Sequence, residues 1–425
     1  MKCILIVEPS DILRAELESQ LQKDYRIYSC SNAGEAELLM RMHRPEGLFL
    51  NLRLQGIDGI CFLELTEDCR PCSIITIAAA YSAFEQQRLV DLGVAQMLLS
   101  GCRLLNSYGI TSCQSDDYCV FQNMPWQVIN EAYRELEANG LLTVRVYEQA
   151  NFTNLPDLED FAKSWQPRSN MFSMGPLKML GDGALGARTA FLTKPYADDP
   201  STRGLSVFTP EAFDTLICYA NRQNMQVAVH CIGDGCLDLV LGSIEKALAE
   251  HPRDNHRHGI VHCQITRPDQ LARIAKLGLH VYAQSIFLDY DLHIVEDRVG
   301  KELAQSSYSW KTLMEKGATV SNGSDCPVEL PNVMGGIQCA VTRKDLKGVG
   351  PYLPQEAFTV QEALDSFTKT GAYASFEESI KGEIQPGMLA DFVVLGENPF
   401  DVEPQALKDV PIIATYLDGK RVYGE

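Results

Sequence analysis

Short apolar runs alternate with amphipathic stretches over the first hundred residues. Residues 3–7 form an apolar run, and in 11–23 the side chains Ile12, Leu13, Leu17 and Leu21 share one face at helical spacing. The series continues with a short run at 26–29, a helical 33–43, apolar runs at 47–52 and 74–80, a helical 83–92 and an apolar 95–99. Five strand candidates separated by helices predict a parallel sheet, because parallel neighbours need crossover connections.

From about Leu104 the rhythm lengthens. Strand candidates fall at 109–113, 142–147, 177–180, 226–230, 259–263, 280–284 and 318–322. The helices between them carry start signals. Thr209-Pro210-Glu211 precedes Phe213, Leu216 and Ile217, and Thr266-Arg267-Pro268-Asp269 precedes Leu271, Ile274 and Leu277, with Gly278 as the stop. Thr359-Val360-Gln361-Glu362 has capping-box spacing. Seven strands with intervening helices predict a (β/α)8 TIM-type barrel that is one strand short. After Gly382 the pattern changes to short β-rich runs at 391–395, 412–417 and 421–423, with turn residues Pro386-Gly387 and Asp418-Gly419, which predicts a small β appendage. The expected division is 1–101, 102–375 and 376–425.

Composition narrows the function classes. The chain of 425 residues is 45% apolar, which excludes wholesale disorder, and 37 basic against 56 acidic residues leave a net charge of −19. That balance, with no basic run, argues against nucleic acid as a partner. No stretch approaches about 18 apolar residues, so no membrane span is expected. The start MKCILIVEPS breaks at Glu8, too early for a signal-peptide core, and the 14 cysteines are spread through the chain. Reduced thiols in a cytoplasm are the expectation. A single CxxC, Cys69 to Cys72, lacks the second pair a zinc ribbon needs.

Barrel enzymes carry their chemistry at the C-terminal ends of strands. His230 ends the run Val227-Ala228-Val229, His262 ends Gly259-Ile260-Val261, and Asp325 follows Val320-Ser321-Asn322-Gly323-Ser324. Imidazoles and a carboxylate converging there are a donor set for zinc or a similar divalent ion. Lys178 stands inside an apolar strand, a costly place for an amine unless it is paired or modified. His280 and His293 read as structural or surface groups. Cys231, Cys263 and Cys326 each follow a candidate ligand, and strand alternation marks the first two as buried, inert thiols. Asp289-Tyr290-Asp291 is an acidic loop that either touches substrate or faces water.

The phrases around these residues resemble the amidohydrolase superfamily, in its branch containing N-substituted formamide deformylase-like enzymes (amidohydrolase family 3). They are Lys178-Met179-Leu180-Gly181-Asp182-Gly183-Ala184-Leu185-Gly186-Ala187-Arg188-Thr189, Val229-His230-Cys231-Ile232-Gly233-Asp234, Ile260-Val261-His262-Cys263, and Asn322-Gly323-Ser324-Asp325-Cys326-Pro327-Val328. Gly382-Glu383-Ile384-Gln385-Pro386-Gly387-Met388-Leu389-Ala390-Asp391-Phe392 resembles that family's return into a β-sandwich. The resemblance implies a carbamylated Lys178 bridging two metal ions, His230 and His262 on the more buried ion, and Asp325 on the other, shuttling protons during hydrolysis of a small-molecule amide. It places Asp182 and Arg188 along the substrate pocket, with Arg343 a candidate for a substrate carboxylate.

The family's His-x-His at the end of the first barrel strand has no counterpart. The only such spacing, His256-Arg257-His258, precedes the strand bearing His262 and is read as a solvated loop. Residues 1–100 resemble instead a response-regulator receiver, a doubly wound flavodoxin-like α/β unit, most closely at Asn51-Leu52-Arg53-Leu54-Gln55-Gly56-Ile57-Asp58-Gly59. Asn51 stands at the phospho-acceptor position, Glu8 with Pro9 at the acidic pair, Ala78 at the hydroxyl position and Ser100 at the lysine. A phosphorylation switch is therefore not expected, nor is the last receiver helix. Two function classes remain open. One is a metal-dependent hydrolase of carbon–nitrogen bonds with impaired activity. The other is a non-catalytic binding or signalling protein, or a fused gene product. Self-association is likewise open.

Overall fold

The computed structural model describes residues 2–51, 54, 59, 62–63, 66, 71, 73–77, 83–120, 124–166 and 168–424. The chain divides into two compact units, one of residues 1–101 with 127–141 and the other of 102–126 with 142–425.

The first unit holds a parallel sheet of β1 (Cys3–Val7), β2 (Arg26–Cys30), β3 (Gly47–Asn51) and β4 (Ser73–Ile77) in the order β2-β1-β3-β4. That is a doubly wound order. Leu5, Val7, Leu48 and Leu50 are buried with Met40 and Ala36 of the helix Ala33–His43. Asn32 caps that helix by accepting the Glu35 N–H at 3.0 Å, and Arg44 ends it in the left-handed region. Glu8 is buried, and its carboxylate accepts from the Asn51 amide at 2.9 Å and the Ser10 N–H at 2.8 Å. The strand expected at 95–99 is a correction. It lies within a continuous helix, Ala83–Ser107, that also contains Ser100. Val94, Leu98 and Cys102 are buried at a spacing of four, and a short apolar run alone does not separate strand from helix. Ala78 and the CxxC cysteines fall outside the described residues.

The second unit is built on seven parallel strands: β5 (Ser112–Ser115), β6 (Arg145–Asn151), β7 (Phe172–Leu180), β8 (Val227–Cys231), β9 (Gly259–His262), β10 (His280–Ala283) and β11 (Thr319–Asn322). They pair in chain order, and among the described residues β5 and β11 are the unpaired edges. The result is a curled half-barrel of parallel strands joined by helices. β7 starts five residues earlier than its apolar pattern suggested, because Gly175-Pro176 reads as a break. A Cβ at Gly175 would lie 2.5 Å from the Glu148 carbonyl, so glycine permits the close approach beside the register shift at Glu148/Ala150.

β12 (Phe392–Leu395), β13 (Ile412–Leu417) and β14 (Lys420–Tyr423) form a small antiparallel sheet in the same unit. Arg145, at the start of β6, is 2% exposed and pairs with Asp391 at 2.7 Å and Asp418 at 2.6 Å.

The segment His256-Arg257-His258 is buried, against the expectation of a solvated loop. His258 Nδ1 accepts the Val227 N–H at 3.1 Å, and its Nε2 lies 3.0 Å from Asn221 Oδ1. Arg257 lies over the Tyr373 ring and pairs with Glu378 at 2.6 Å. This segment consolidates the N-terminal ends of β8 and β9, and burial holds the imidazole pKa of His258 well below its usual value. His280 is likewise buried, bonded to Thr319 and Ser321 at 2.8 Å each.

Candidate active site at the strand ends

The parallel register sets Lys178 on β7 beside Asn151 on β6 and Ala228 on β8. It sets His230 beside Val261, and His262 beside Cys231. In regular strands those last two pairings would send His230 and His262 to opposite faces. His262 and Cys263 instead have φ of 72° and 51°, a conformation that is uncommon and strained for such residues. The left-handed turn lets the imidazole leave the alternation, and the two rings meet with centroids 4.4 Å apart at 78°.

Hydrogen bonds fix the tautomers. Gln284 donates from Nε2 to the Tyr282 carbonyl at 2.9 Å, so its Oε1, 2.8 Å from His262 Nδ1, must accept. His262 Nδ1 therefore carries the proton and Nε2 keeps its lone pair. Burial, reinforced by His230 and Lys178, holds the His262 pKa well below its usual value, so the ring is neutral. His230 Nε2 faces the Gly183 carbonyl at 3.2 Å and Asp182 Oδ1 at 3.3 Å, both acceptors, so Nε2 is a protonated nitrogen of that ring. Asp325 Oδ2 lies 4.0 Å from His262 Nε2.

Lys178 is buried, and its ammonium lies 3.6 Å from Asp116 Oδ2. Asp116 follows β5 and also accepts from the Asn151 amide at 3.2 Å. Burial pushes its carboxyl above the usual range, opposed by Lys178. Sequence reasoning missed Asp116. The acidic pair Asp116-Asp117 after a barrel strand was the available signal, hidden because the strand candidate stopped at Cys113 while β5 runs to Ser115.

Glu148 on β6 is fully buried and accepts the Asp117 N–H at 2.7 Å. Burial, then Asp117 and Asp116, push its pKa well up. The folded chain thus holds a proton that the unfolded chain releases above its ordinary pKa, and stability falls as pH rises through that window at up to about 1.4 kcal/mol per unit. Glu148→Gln is expected to remove this loss, giving a variant whose advantage over wild type grows between pH 5 and 8 in urea melts. A constant difference across that range would contradict it.

The three expected pocket residues each have partners within the fold. Asp182 accepts the N–H groups of Phe191, Ile232 and Gly233 at 2.8–3.0 Å while it contacts His230, so it positions that ring and the loop around it. Arg188 is bound through two nitrogens to Asp198 at 2.8–3.0 Å. Arg343 is 1% exposed beneath Trp310 and Tyr352, and burial lowers its pKa to about 10. Cys231 and Cys263 are buried, and burial raises both thiol pKa values, Cys263 to about 12, in keeping with inert thiols.

Two imidazoles at adjacent strand ends, with a carboxylate beside one of them, are the donor types a divalent ion takes. Among the described residues no three His, Cys, Asp or Glu side chains gather closely enough to hold a metal ion by themselves. The donors present fit part of a coordination sphere.

Parallel strands with polar and ionisable side chains at their C-terminal ends define a βα-barrel-type enzyme architecture. The chain belongs to the amidohydrolase family, whose model it matches over residues 76–423. It is 35% identical over 318 residues to YtcJ of Bacillus subtilis (strain 168), named as an amidohydrolase, covering 74% of this chain and 58% of that protein. It is 23% identical over 296 residues to N-substituted formamide deformylase of Arthrobacter pascens, covering 68% of this chain and 54% of the relative. The chain thus spans little more than half the length of these curated relatives. An uncharacterized metal-dependent hydrolase from Pyrococcus horikoshii shares the fold, with a TM-score of 0.63 at 22% identity over 88% of this chain and 81% of that one. No helix among the described residues is long and apolar enough to cross a membrane.

Proposed function

We propose that this chain is a metal-dependent hydrolase of non-peptide carbon–nitrogen bonds, of the amide or formamide type. The observation that carries the reading is the pair of oriented imidazoles, His262 fixed by Gln284 and His230 by Asp182 and Gly183. Family membership and the names of the two relatives support it. His230 and His262 would hold a divalent ion, zinc by the His-rich donor set, with Lys178 as the anionic donor once carbamylated by CO₂ and Asp325 beside them. Such an ion supplies a lowered pKa for water and polarises a carbonyl. Asp325, the most exposed of the four, accepts the proton of the attacking water and returns it to the departing amine nitrogen. Asp182 and Gln284 keep the rings aimed. Asp116 holds the Lys178 ammonium before modification.

In this reading residues 1–101 are a degenerate receiver-like domain in which Asn51 replaces the phospho-acceptor. Residues 102–375 are a barrel lacking its first strand and with it the His-x-His, and 376–425 are a β-sandwich remnant of a cytoplasmic enzyme. The test is release of benzylamine from N-benzylformamide by protein supplied with zinc and bicarbonate. Release that chelator abolishes is expected. Its absence under every metal condition would favour the non-catalytic reading, which draws on the lack of three converging ligands among the described residues.

A further inference from the structure

A cavity of about 470 Å³ opens at the N-terminal ends of β6, β7 and β8, the opposite end of these strands from Lys178 and His230. Ser173 in its wall stands five residues before Lys178 on β7, about 17 Å away at strand spacing. The volume falls within the range of small-molecule sites, about 300–1,000 Å³. Trp165, Met174, Met225, Phe376 and Ile380 give it apolar walls, and Trp165 and Ile380 remain 45% and 40% exposed, so the fold itself leaves that rim uncovered. Among the described residues neither Asp nor Glu lines it.

Two arginines reach the cavity and differ in how their charge is met. Arg168 pairs with Glu377 at 3.0 Å and lies over the Tyr147 ring. Arg253 has no carboxylate partner among the described residues. Its Nη1 donates to the Met225 carbonyl at 2.8 Å and its Nη2 to the Asn224 carbonyl at 3.0 Å, which ties the side chain to the turn after the helix Pro210–Arg222 and leaves Nε open. Burial lowers its pKa, and no acid opposes that shift. A half-buried guanidinium without a counter-ion is costly, and an anion that accepts from it relieves the cost. Ser173 supplies a second donor: it is 6% exposed, and its hydroxyl has no hydrogen-bond partner among the described residues. Cationic and hydroxyl donors set among apolar walls are the complement of a carboxylate on a hydrocarbon body.

We propose that this cavity is a second small-molecule site, which binds a carboxylate carrying an apolar ring or chain: the carboxylate on Arg253 Nε and Ser173 Oγ, the hydrocarbon against Trp165, Phe376 and Ile380. The site is separate from the one at the C-terminal strand ends and stands independently of the hydrolase reading.

The test is an NMR titration of the purified chain at neutral pH with phenylacetate and its neutral counterpart, phenethyl alcohol, with chelator present so that no carboxylate binds through a metal ion. Phenylacetate is expected to bind at least about tenfold more tightly than the alcohol. Arg253→Gln should weaken phenylacetate about tenfold and Ser173→Ala about threefold, both leaving the alcohol unchanged. Trp165→Ala should weaken both probes by up to about tenfold, and His262→Ala should alter neither. Ser173→Ala and Trp165→Ala keep the test decisive where Arg253→Gln disturbs the turn it holds. Undetectable phenylacetate binding, equal affinity for the two probes, or phenylacetate binding indifferent to both Ser173→Ala and Trp165→Ala overturns the proposal. Phenylacetate binding lost in His262→Ala would move the ligand to the C-terminal strand ends and overturn it as well. Release of benzylamine from N-benzylformamide, or its absence, bears on the hydrolase reading alone.

Discussion

His262→Ala is expected to lower the rate of N-benzylformamide hydrolysis by at least about a thousandfold, because a ligand-type imidazole supports several kcal/mol of transition-state stabilisation through the bound ion. The ring is 2% exposed, and its backbone carbonyl accepts from Trp310 Nε1 at 3.0 Å, a bond that alanine keeps. The fold should therefore survive while the donor is lost. Gln284→Leu offers a graded comparison. It leaves the imidazole in place and removes the acceptor that fixes its tautomer, for an expected loss of about 10–100-fold in metal affinity. Rates for both variants within a fewfold of wild type would remove His262 from the reaction.

The largest stability effect is expected at Arg145. Its guanidinium is buried against Asp391, itself nearly buried, and also binds Asp418 and Asn170. Arg145→Ala leaves the Asp391 charge without its partner, which costs about 3–5 kcal/mol in comparable buried pairs. Urea denaturation followed by tryptophan fluorescence reads this directly. The double replacement Arg145→Met with Asp391→Leu should recover most of the loss, since the penalty arises from an unpaired buried charge. A single variant as stable as wild type would show that the small antiparallel sheet is not held by this pair.

Much of the second unit was legible because parallel strands buried on both faces read as apolar runs and their helices carry caps. Thr209, for example, accepts the Ala212 N–H as its capping position requires. What escaped has physical causes. The run at 95–99 carries no turn residue to separate it from the helix before it, and Gly93 does not break that helix. His256 to His258 lie before a strand, where solvent was the natural guess, yet long-range partners such as Asn221 and Glu378 bury them. The left-handed backbone at His262 is invisible to alternation, although it brings the two imidazoles together. Asp182 was recognised by its motif. Its work, three backbone N–H groups and one imidazole, emerges only from tertiary structure.

The proposed hydrolase needs a divalent ion at the ends of β7, β8 and β9. Equilibrium titration of chelator-treated protein with zinc in bicarbonate buffer tests it most directly. About one tightly bound equivalent per chain is expected, weakened at least about 100-fold in both His230→Ala and His262→Ala. Zinc binding as weak in wild type as in the doubly substituted chain would contradict it.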